Sequence, residues 1–327
     1  TEVPKEYGGV GGDFLHSVII AEELMKTEHM GIMAPLHSDI VVPYITTFGS
    51  EEIKRKYLPG CASGDCIAAV AMTEPGAGSD VASMEMTAVE DGDDVVLNGS
   101  KTFISNGVNC DIVIVAAKDP SVDNPHKAIS LYLIEDGTKG FEHGKQLEKM
   151  GMHSQDTAEL FFTDCRIPKN NIIGEKGNGF IQLMQKLQQE RLVCSVQAIA
   201  GVEHVLEKTV TQLRKPSDDA NAMTADQATQ FELAEITAES KILRAFIDQL
   251  ILSHMKKENV VIETSIAKYR TSEALNNVIN TCLGFFGDYG VSEKNTLVRM
   301  ARDSRVQTIY AGTNEVMKSI IAKSLGI

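Results

Sequence analysis

The chain has 327 residues, of which 43% are hydrophobic and 23% are charged, with a formal net charge of −14 at pH 7. This composition is typical of a globular protein with two or three domains. The negative charge argues against partners that are nucleic acids or anionic membranes, and the sequence has no apolar run long enough to predict a membrane span.

The six cysteines are scattered along the chain, without a C-x-x-C pair. They therefore predict neither a disulfide framework nor a metal site. This pattern is typical of a reducing compartment, so we expect an intracellular, soluble protein: cytoplasmic in a bacterium and in the mitochondrial matrix in a eukaryote.

The first 65 residues have helical character. Apolar residues recur at helical spacing from His16 to Met25 and again from Ala34 to Phe48. Ser50 is a good N-cap for a further helix, since Glu51 and Glu52 follow it in the first turn. Pro59-Gly60 predicts the end of that helix. Residues 1–65 are therefore predicted to form a helical domain.

The pattern changes over residues 66–176, where short apolar runs alternate with turn signals. Asp91-Gly92, Asn98-Gly99 and Asp136-Gly137 are typical turn sequences. Because the runs are short and no helical pattern separates them, they favour antiparallel sheets or a barrel over a dinucleotide-binding parallel sheet.

Residues 177–327 return to long helical periodicity. One helix is predicted to end near residue 255 and to bury a single face, and a second is predicted from Thr264 to Phe285. The residues assigned to that buried face are Phe231, Ala234, Ala238, Ile242, Ala245 and Leu250. The chain as a whole is predicted to be an α+β protein.

The segment Ala71 to Asp80 reads AMTEPGAGSD and joins a predicted strand to a loop. Gly76 and Gly78 permit a ligand to approach the backbone closely, while Thr73 and Ser79 supply hydroxyl groups. A surface turn explains the same residues equally well. The segment is not a P-loop, because no Gly-Lys-Ser/Thr follows.

TEPGAGSD resembles the flavin-loop signature of the acyl-CoA dehydrogenases, and further motifs of that family follow in the expected order. The resemblance covers nearly the whole chain and is strongest to the long-chain members, with the isovaleryl-CoA dehydrogenases also near. It implies N-terminal helices, a central antiparallel β-domain and a C-terminal four-helix bundle, with the family's first helices missing here. The matching segments are PKEYGG from Pro4, AEEL from Ala21, NGSKTFISNG from Asn98, QDTAELFF from Gln155, ERL from Glu190 and YAGTNE from Tyr310.

The resemblance implies FAD as the cofactor and an acyl-CoA as the substrate. In the first part of the chain, Met72, Thr73 and Ser79 match positions that bind FAD, and Ser79 also matches a CoA contact. Phe103 matches an aromatic residue that packs on the flavin ring, and Ser105 matches a hydroxyl that faces flavin N5.

Four residues in the second part of the chain also match FAD contacts of the family. They are Gln227, Gly287, Thr313 and Glu315. Thr313 is in addition a good N-cap for a final helix from Asn314 to Ser324.

The resemblance also implies a catalytic base. Most members carry a glutamate directly after the tyrosine of the Y-E-G-T motif, but this chain has Ala311 there. The long-chain and isovaleryl members also lack that glutamate and place one just before an arginine, which matches Glu190 and Arg191. The alternative is a solvated Glu-Arg pair. Substrate contacts are implied for Arg191, for Tyr310 in the acyl pocket, for the Ala311 amide at the thioester oxygen, and for Gly312.

One segment departs from the family. An R-x-x-F-G motif that reaches the FAD of a neighbouring subunit is expected near residues 216–220, where the chain reads Pro216-Ser217-Asp218-Asp219-Ala220. The two acids would repel the cofactor's pyrophosphate, so we expect weaker FAD retention. A partner subunit of different sequence, or a reshaped 215–222 loop, would offer other ways of holding FAD.

The resemblance predicts an FAD-dependent dehydrogenase of fatty acid β-oxidation that converts an acyl-CoA to the trans-2-enoyl-CoA and passes electrons to electron-transfer flavoprotein. One alternative is a non-catalytic or half-site subunit of a mixed assembly with impaired FAD binding. Another is an acyl-CoA oxidase that uses oxygen. A homo-oligomer, dimer or tetramer, is expected, or a hetero-oligomer if a partner completes the site.

Overall fold

The structure, a computed structural model, describes residues 1–215 and 225–327. The chain forms two compact units, each assembled from separate stretches of sequence. The β unit comprises Thr1–Asp13, Met33–Lys149 and His153–Leu187, and the helical unit comprises Phe14–Ile32, Met150–Met152 and Gln188–Ile327. The segment Pro216–Ala220, on which weaker FAD retention was predicted, lies outside the described residues. The division into domains 1–65, 66–176 and 177–327 stays a prediction.

A single sheet of eight strands dominates the described part of the β unit. Its strands are β1 Ala68–Ala71, β2 Thr87–Asp91, β3 Asp94–Ser105, β4 Ile112–Lys118, β5 Ile129–Glu135, β6 Phe141–Gln146, β7 Thr157–Pro168 and β8 Ile172–Ile173. The strand order is β6-β7-β3-β2-β4-β5-β8, and β1 pairs with β4 outside this path.

The predicted antiparallel character is confirmed for most strand pairs, including β3 with β7 and β4 with β5. Two pairs are parallel instead. β1 runs along β4 from Ala68↔Ile112 to Ala71↔Val115, and β2 meets the end of β4 at Thr87↔Lys118. A parallel pair needs a long connection, and the chain between β1 and β4 supplies one, since it contains the AMTEPGAGSD loop and the β2–β3 hairpin.

The sequence of each strand follows its place in the sheet. Nearly every residue of β4 and β5 is buried, and both strands are continuous apolar runs, as expected for strands covered on both faces. β7, by contrast, alternates buried and exposed positions along part of its length, which is typical of a strand with one solvated face.

The β unit also contains α2 Val42–Phe48, α3 Glu51–Ser63 and the short α4 Pro125–Ala128. Ser50 caps α3 as predicted, since its side chain accepts a hydrogen bond from Ile53 N. The predicted end of this helix near Pro59-Gly60 is wrong, because α3 continues to Ser63. The helix ends where Gly64 takes the left-handed conformation, with φ 87°, that glycine permits.

The described residues of the helical unit form helices packed around one hydrophobic core. The helices are α1 Phe14–Lys26, α5 Gly179–Leu213, α6 Gln227–Met255, α7 Val261–Phe285, α8 Thr296–Ser304 and α9 Asn314–Ser324, of which α5 begins in the β unit. None of the helices in the described ranges is both long and apolar enough to cross a bilayer.

Helix α6 ends at Met255, as predicted, but buries a different face from the predicted one. Of the six residues assigned to the core, only Leu250 is buried, and Phe231 and Ile242 are 62% and 69% exposed. Helix α6 carries two apolar stripes, the predicted one and the buried one, and both repeat with the helical period. The stripe with more large aliphatic side chains faces the core, since burying them removes more apolar area from water than burying alanines. It consists of Ile236, Leu243, Ile247, Leu250 and Ile251.

Candidate active site

In the β unit, the AMTEPGAGSD segment leaves β1 and closes into a tight turn. The turn forms because Glu74 and Ala77 exchange backbone hydrogen bonds, at 2.8 and 3.1 Å. Met72 and Thr73 precede the turn and are half-buried, whereas Ser79 follows it and is exposed. The sequence-predicted residues of this loop therefore lie on both sides of one fixed turn.

A buried ion pair holds this loop against strand β3. Lys101 is fully buried, and its Nζ donates to Glu74 Oε1 at 2.7 Å and to the Met72 carbonyl at 3.0 Å. Thr102 N donates to the Thr73 carbonyl at 2.9 Å, and Glu74 also accepts from the amides of Glu85 and Met86. The backbone at Met72 and Thr73 is thereby fixed from the strand that carries Phe103.

Glu74 and Lys101 were not identified from the sequence. A lysine in a strand usually extends to solvent. Lys101 lies between the polar residues Ser100 and Thr102, and this position gives no signal that its side chain is buried.

Phe103 protrudes from β3 at an irregularity in the sheet. The pairing of β3 with β7 shifts between Lys101↔Leu160 and Ile104↔Ala158, so β3 has one extra residue there, a β-bulge. Phe103 has φ 57° and a side chain that is 69% exposed. Ser105 ends the strand opposite Thr157 and is half-buried.

This bulge fits a flat aromatic cofactor. A left-handed, non-glycine residue is strained by about 1–2 kcal/mol, and such strain is concentrated at binding sites. An exposed phenylalanine likewise gains nothing from burial in the chain alone. Both features are explained if the ring of Phe103 packs on a bound group.

In the helical unit, Glu190 is a buried acid on α5. Its side chain is 9% exposed, and its Oε2 atom has no hydrogen-bond partner. Burial raises the pKa of Glu190 to about 7, although the nearby cations of Arg191 and Lys268 lower it. A buried carboxylate with one unpartnered oxygen and this proton affinity is suited to general base chemistry near neutral pH.

Arg191 follows Glu190 on α5 and is also buried, at 4% exposure. Its Nη1 donates to Ser265 Oγ at 3.2 Å, while its Nε has no partner. The arginine lies next to the turn that precedes α9, since a Cβ on Gly312 would be 3.9 Å from Arg191 Nη2. Glu190 and Arg191 are therefore not a solvated pair on an exposed helix face.

The turn before α9 has two consecutive left-handed residues. Ala311 has φ 55° and Gly312 has φ 88°. An added Cβ on Gly312 would lie 2.8 Å from Met317 Cε, the mobile end of that side chain, so it is the left-handed conformation that favours glycine there. Tyr310 comes just before this turn, and burial raises its pKa well above the ordinary value, with the negative charge of Glu190 contributing.

Thr313 caps α9 as predicted, since its side chain accepts a hydrogen bond from Val316 N. Glu315 lies in the first turn of α9 and is exposed. The other two predicted residues lie on other elements. Gln227 is the exposed first residue of α6, and Gly287 opens a turn after α7 with φ 52°. Neither belongs to the hydrogen-bonded group around Arg191 and Gly312.

Lys268 of α7 was not identified from the sequence, although it is 1% exposed and contacts this turn. Its Nζ donates to the Gly312 carbonyl at 2.7 Å and to Asn314 Oδ1 at 3.0 Å. The Nδ2 atom of Asn314 is buried without a partner. A lysine in a helical segment is usually predicted to be exposed. The burial of Lys268 is therefore visible only from the packing of α7.

Three family models match successive parts of the chain. They describe the N-terminal domain of acyl-CoA dehydrogenases at residues 1–65, the middle domain at 69–165 and the C-terminal domain at 177–326.

Individual relatives agree with these matches. The mitochondrial long-chain specific acyl-CoA dehydrogenase of Sus scrofa is 41% identical over 324 residues, which cover 99% of this chain and 75% of the relative. The crystal structure of an acyl-CoA dehydrogenase from Geobacillus kaustophilus is 46% identical, with a TM-score of 0.95 over 100% of this chain and 86% of its own. A chain in the structure described as the electron transferring flavoprotein of Acidaminococcus fermentans is 33% identical, with a TM-score of 0.93 over 99% and 86%.

Members of the matched family are FAD-dependent flavoproteins. The exposed ring of Phe103 and the buried, unpartnered atoms of Glu190 and Asn314 fit a protein that receives a cofactor and a substrate. With its three domain matches and with relatives more than 40% identical along nearly its full length, the chain belongs to the acyl-CoA dehydrogenase family of oxidoreductases.

Proposed function

We propose that the chain removes one hydrogen from each of the α and β carbons of an acyl-CoA thioester to form the trans-2-enoyl-CoA, with Glu190 as the base. The observation that carries this proposal is the buried carboxylate of Glu190, which has one oxygen without a partner and a pKa of about 7. A carboxylate in this environment is poorly solvated, so it accepts a proton at neutral pH.

The α-proton of a thioester is weakly acidic and becomes removable when donors hold the carbonyl oxygen as negative charge develops on it. We assign one such donor to the backbone N–H of Ala311. The left-handed conformations of Ala311 and Gly312 support this role, since they turn the backbone sharply just after Tyr310. Arg191 holds its positive charge beside this turn and beside the carboxylate of Glu190, and Tyr310 lines the acyl site.

The roles of the cofactor-binding residues follow the same reasoning. Met72, Thr73 and Ser105 bind the flavin, and Phe103 packs against its ring. Bound there, FAD would supply the acceptor for the hydride that leaves the β carbon. Ser79 contacts both FAD and the CoA moiety, and its exposed position after the turn at Glu74 leaves it accessible to both.

Four further FAD contacts are assigned to the helical unit. Thr313 and Glu315 lie at the start of α9, where the helix N-terminus favours negatively charged or oxygen-rich groups. Gln227 and Gly287 are exposed, so both remain accessible to FAD.

We assign electron-transfer flavoprotein as the electron acceptor. The similarity to a chain in the electron transferring flavoprotein structure of Acidaminococcus fermentans supports this assignment. Acyl-CoA-dependent reduction of an added electron-transfer flavoprotein under anaerobic conditions tests it. Oxygen consumption at the same rate without that acceptor would instead indicate an oxidase.

Substitution of the base tests the proposed function. Glu190→Gln removes the proton acceptor with little change in shape, so we expect turnover with acyl-CoA to fall by about 10²–10⁴-fold while FAD remains bound. The measurements are acyl-CoA-dependent bleaching of the flavin absorbance and steady-state turnover.

Glu207→Gln is the matched control, because Glu207 lies on the same helix and is exposed. It should leave turnover unchanged. Full activity of Glu190→Gln would exclude Glu190 as the base. If the wild-type protein binds FAD but its flavin absorbance is not bleached by any acyl-CoA tested, a non-catalytic subunit would be favoured.

A further inference from the structure

Lys268 is a buried cation that the proposed chemistry leaves without a role. Its side chain is 1% exposed and burial lowers its pKa to about 8. A lysine is rarely buried unless its ammonium group is engaged. Here the ammonium group donates to the Gly312 carbonyl at 2.7 Å and to Asn314 Oδ1 at 3.0 Å. Its charge and its hydrogen bonds are therefore directed at the turn before α9.

Helix α7 holds that turn at two points. Ser272 lies one helical turn after Lys268 and donates to the same Asn314 oxygen at 3.1 Å. The two donors thus share one face of α7. Together they fix Gly312 and Asn314, the residues on either side of the N-cap Thr313. Because Ala311 precedes Gly312 directly, the direction of its N–H depends on this attachment.

The same ammonium group acts electrostatically on Glu190. The positive charge of Lys268 opposes the effect of burial and lowers the pKa of Glu190, as does that of Arg191. Other ionisable groups close to this pair are Cys194 on α5, Tyr310 before the turn and Glu315 on α9. Burial raises the pKa of the Cys194 thiol to about 12, so this thiol carries no charge near pH 7. Among the residues that the structure describes, Arg191 and Lys268 are the cations that lower the pKa of Glu190.

We propose that Lys268 is a positioning residue that holds the turn before α9, and with it the Ala311 amide, in place for the thioester oxygen, and that its positive charge also favours the ionised form of the Glu190 carboxylate. This inference rests on the proposed function of Glu190 and Ala311. It makes a buried lysine of α7, which touches neither reacting carbon, a determinant of the rate.

The first test is the pH dependence of kcat/KM. In the wild-type protein, kcat/KM should rise with pH up to about 7, because Glu190 acts in its ionised form, and should level off between about 7 and 8, where Lys268 still carries its proton. In Lys268→Met the favourable charge is lost, so the rise should move to higher pH by about one unit. Ser272→Ala removes a hydrogen bond to Asn314 but no charge, and should lower the plateau without moving the rise.

The second test measures binding rather than turnover. Calorimetry compares an enoyl-CoA thioester with an S-alkyl-CoA thioether of equal chain length, which lacks the carbonyl oxygen. Lys268→Met should weaken thioester binding by about tenfold and leave thioether binding nearly unchanged. Lys241→Met is the control, because Lys241 is exposed on α6, and neither readout should change in it.

If Lys268→Met does not fold, Lys268→Gln retains a donor without the charge and should show the same shift in the pH profile. An unmoved pH profile together with equal losses for both ligands would overturn the inference and leave a purely structural lysine. That result differs from failure of the proposed function, in which Glu190→Gln itself keeps its activity.

Discussion

At the scale of single residues, the buried Glu190 lowers the stability of the fold at the pH at which its carboxylate is ionised and can act as a base. Its folded-state pKa is about 7, raised from the ordinary value of 4.5. Between these two values the folded chain binds more protons than the unfolded chain. The contribution to stability is therefore full below pH 4.5 and is lost as the pH rises to about 7.

This sign gives a stability prediction for the wild-type chain. Its unfolding free energy should fall by up to about 3 kcal/mol between pH 4.5 and 8 through Glu190, at about 1.4 kcal/mol per pKa unit. Glu190→Gln should not show that part of the fall, since glutamine does not titrate. Urea denaturation at several pH values measures the difference between the two proteins, and parallel curves would contradict it.

Substitutions of Phe103 separate the backbone strain at the β-bulge from the proposed contact between the Phe103 ring and FAD. Phe103→Gly should raise the stability of the FAD-free chain by about 1 kcal/mol, since glycine adopts a positive φ without penalty. Both Phe103→Gly and Phe103→Ala should weaken FAD binding by about 3- to 10-fold, because the ring contact is lost.

The measurements are the denaturation midpoint of the FAD-free chain and the dissociation constant from flavin fluorescence. Phe161→Ala is the control, since Phe161 is an exposed phenylalanine of the same sheet, at 40% exposure. If Phe103→Ala retains full FAD affinity, the assigned contact between this ring and the flavin is wrong.

The sequence allowed only some of these residues to be predicted. Glu190 was found because its neighbour Arg191 and the alanine at position 311 form a recognisable combination. Three buried charged residues were missed: Glu74, Lys101 and Lys268. Their side chains are buried and hydrogen-bonded only because segments distant in sequence pack against them. No local pattern distinguishes such a residue from a solvated one.

At the scale of secondary structure elements, strand β3 links the sheet to the AMTEPGAGSD loop. Gly99 lies beside an irregularity of this strand and has φ 145°. A Cβ there would lie 2.9 Å from Met86, whose amide donates to Glu74. An added methyl group would therefore displace a residue that anchors the ion pair of Lys101 and Glu74.

Gly99→Ala should accordingly destabilise the protein by about 1–3 kcal/mol and weaken FAD binding as well. Gly92→Ala is the matched control, because Gly92 also has a positive φ, 63°, but its added Cβ would meet no atom within 4 Å. That control should lose only about 1 kcal/mol, from backbone strain, and should keep its FAD affinity. Equal effects of the two substitutions would contradict the role given to Met86.

The differences between predicted and observed elements have physical reasons. The turn chemistry of Pro59-Gly60 predicted a helix end, but α3 continues to Ser63 and ends where Gly64 takes the left-handed conformation. Helix α6 has two apolar stripes, and its sequence period alone does not decide which one is buried. The antiparallel prediction missed the β1–β4 pair because a parallel partner 44 residues away leaves no local signal.

At the scale of the whole molecule, FAD binding should contribute to stability. A ligand that binds only the folded chain adds about 2.7 kcal/mol at a concentration of one hundred times its dissociation constant. The acids Asp218 and Asp219 predict weak binding, so the unfolding midpoint should still rise as FAD is increased well above the protein concentration. A midpoint that does not change with added FAD would contradict this prediction.

Restoring the family motif provides a comparison. The combined substitutions Pro216→Arg, Asp219→Phe and Ala220→Gly should tighten FAD binding by about tenfold or more, since a charged hydrogen bond is gained and one of the two acids is removed. Glu232→Arg adds positive charge at an exposed site on α6 and serves as the control. Equal affinities in the two variants would indicate that residues 216–220 do not contact the cofactor.

The interleaved segments of the two units also affect the order of folding during synthesis. Helix α1 leaves the ribosome early, but it belongs to the helical unit, and its core partners lie after residue 187. The β unit becomes complete first, once Leu187 has been made, while α1 still lacks those partners. The apolar residues Phe14, Val18 and Met25 then stay exposed on the nascent chain until α5 and α7 follow. This interval is when the chain most needs a chaperone.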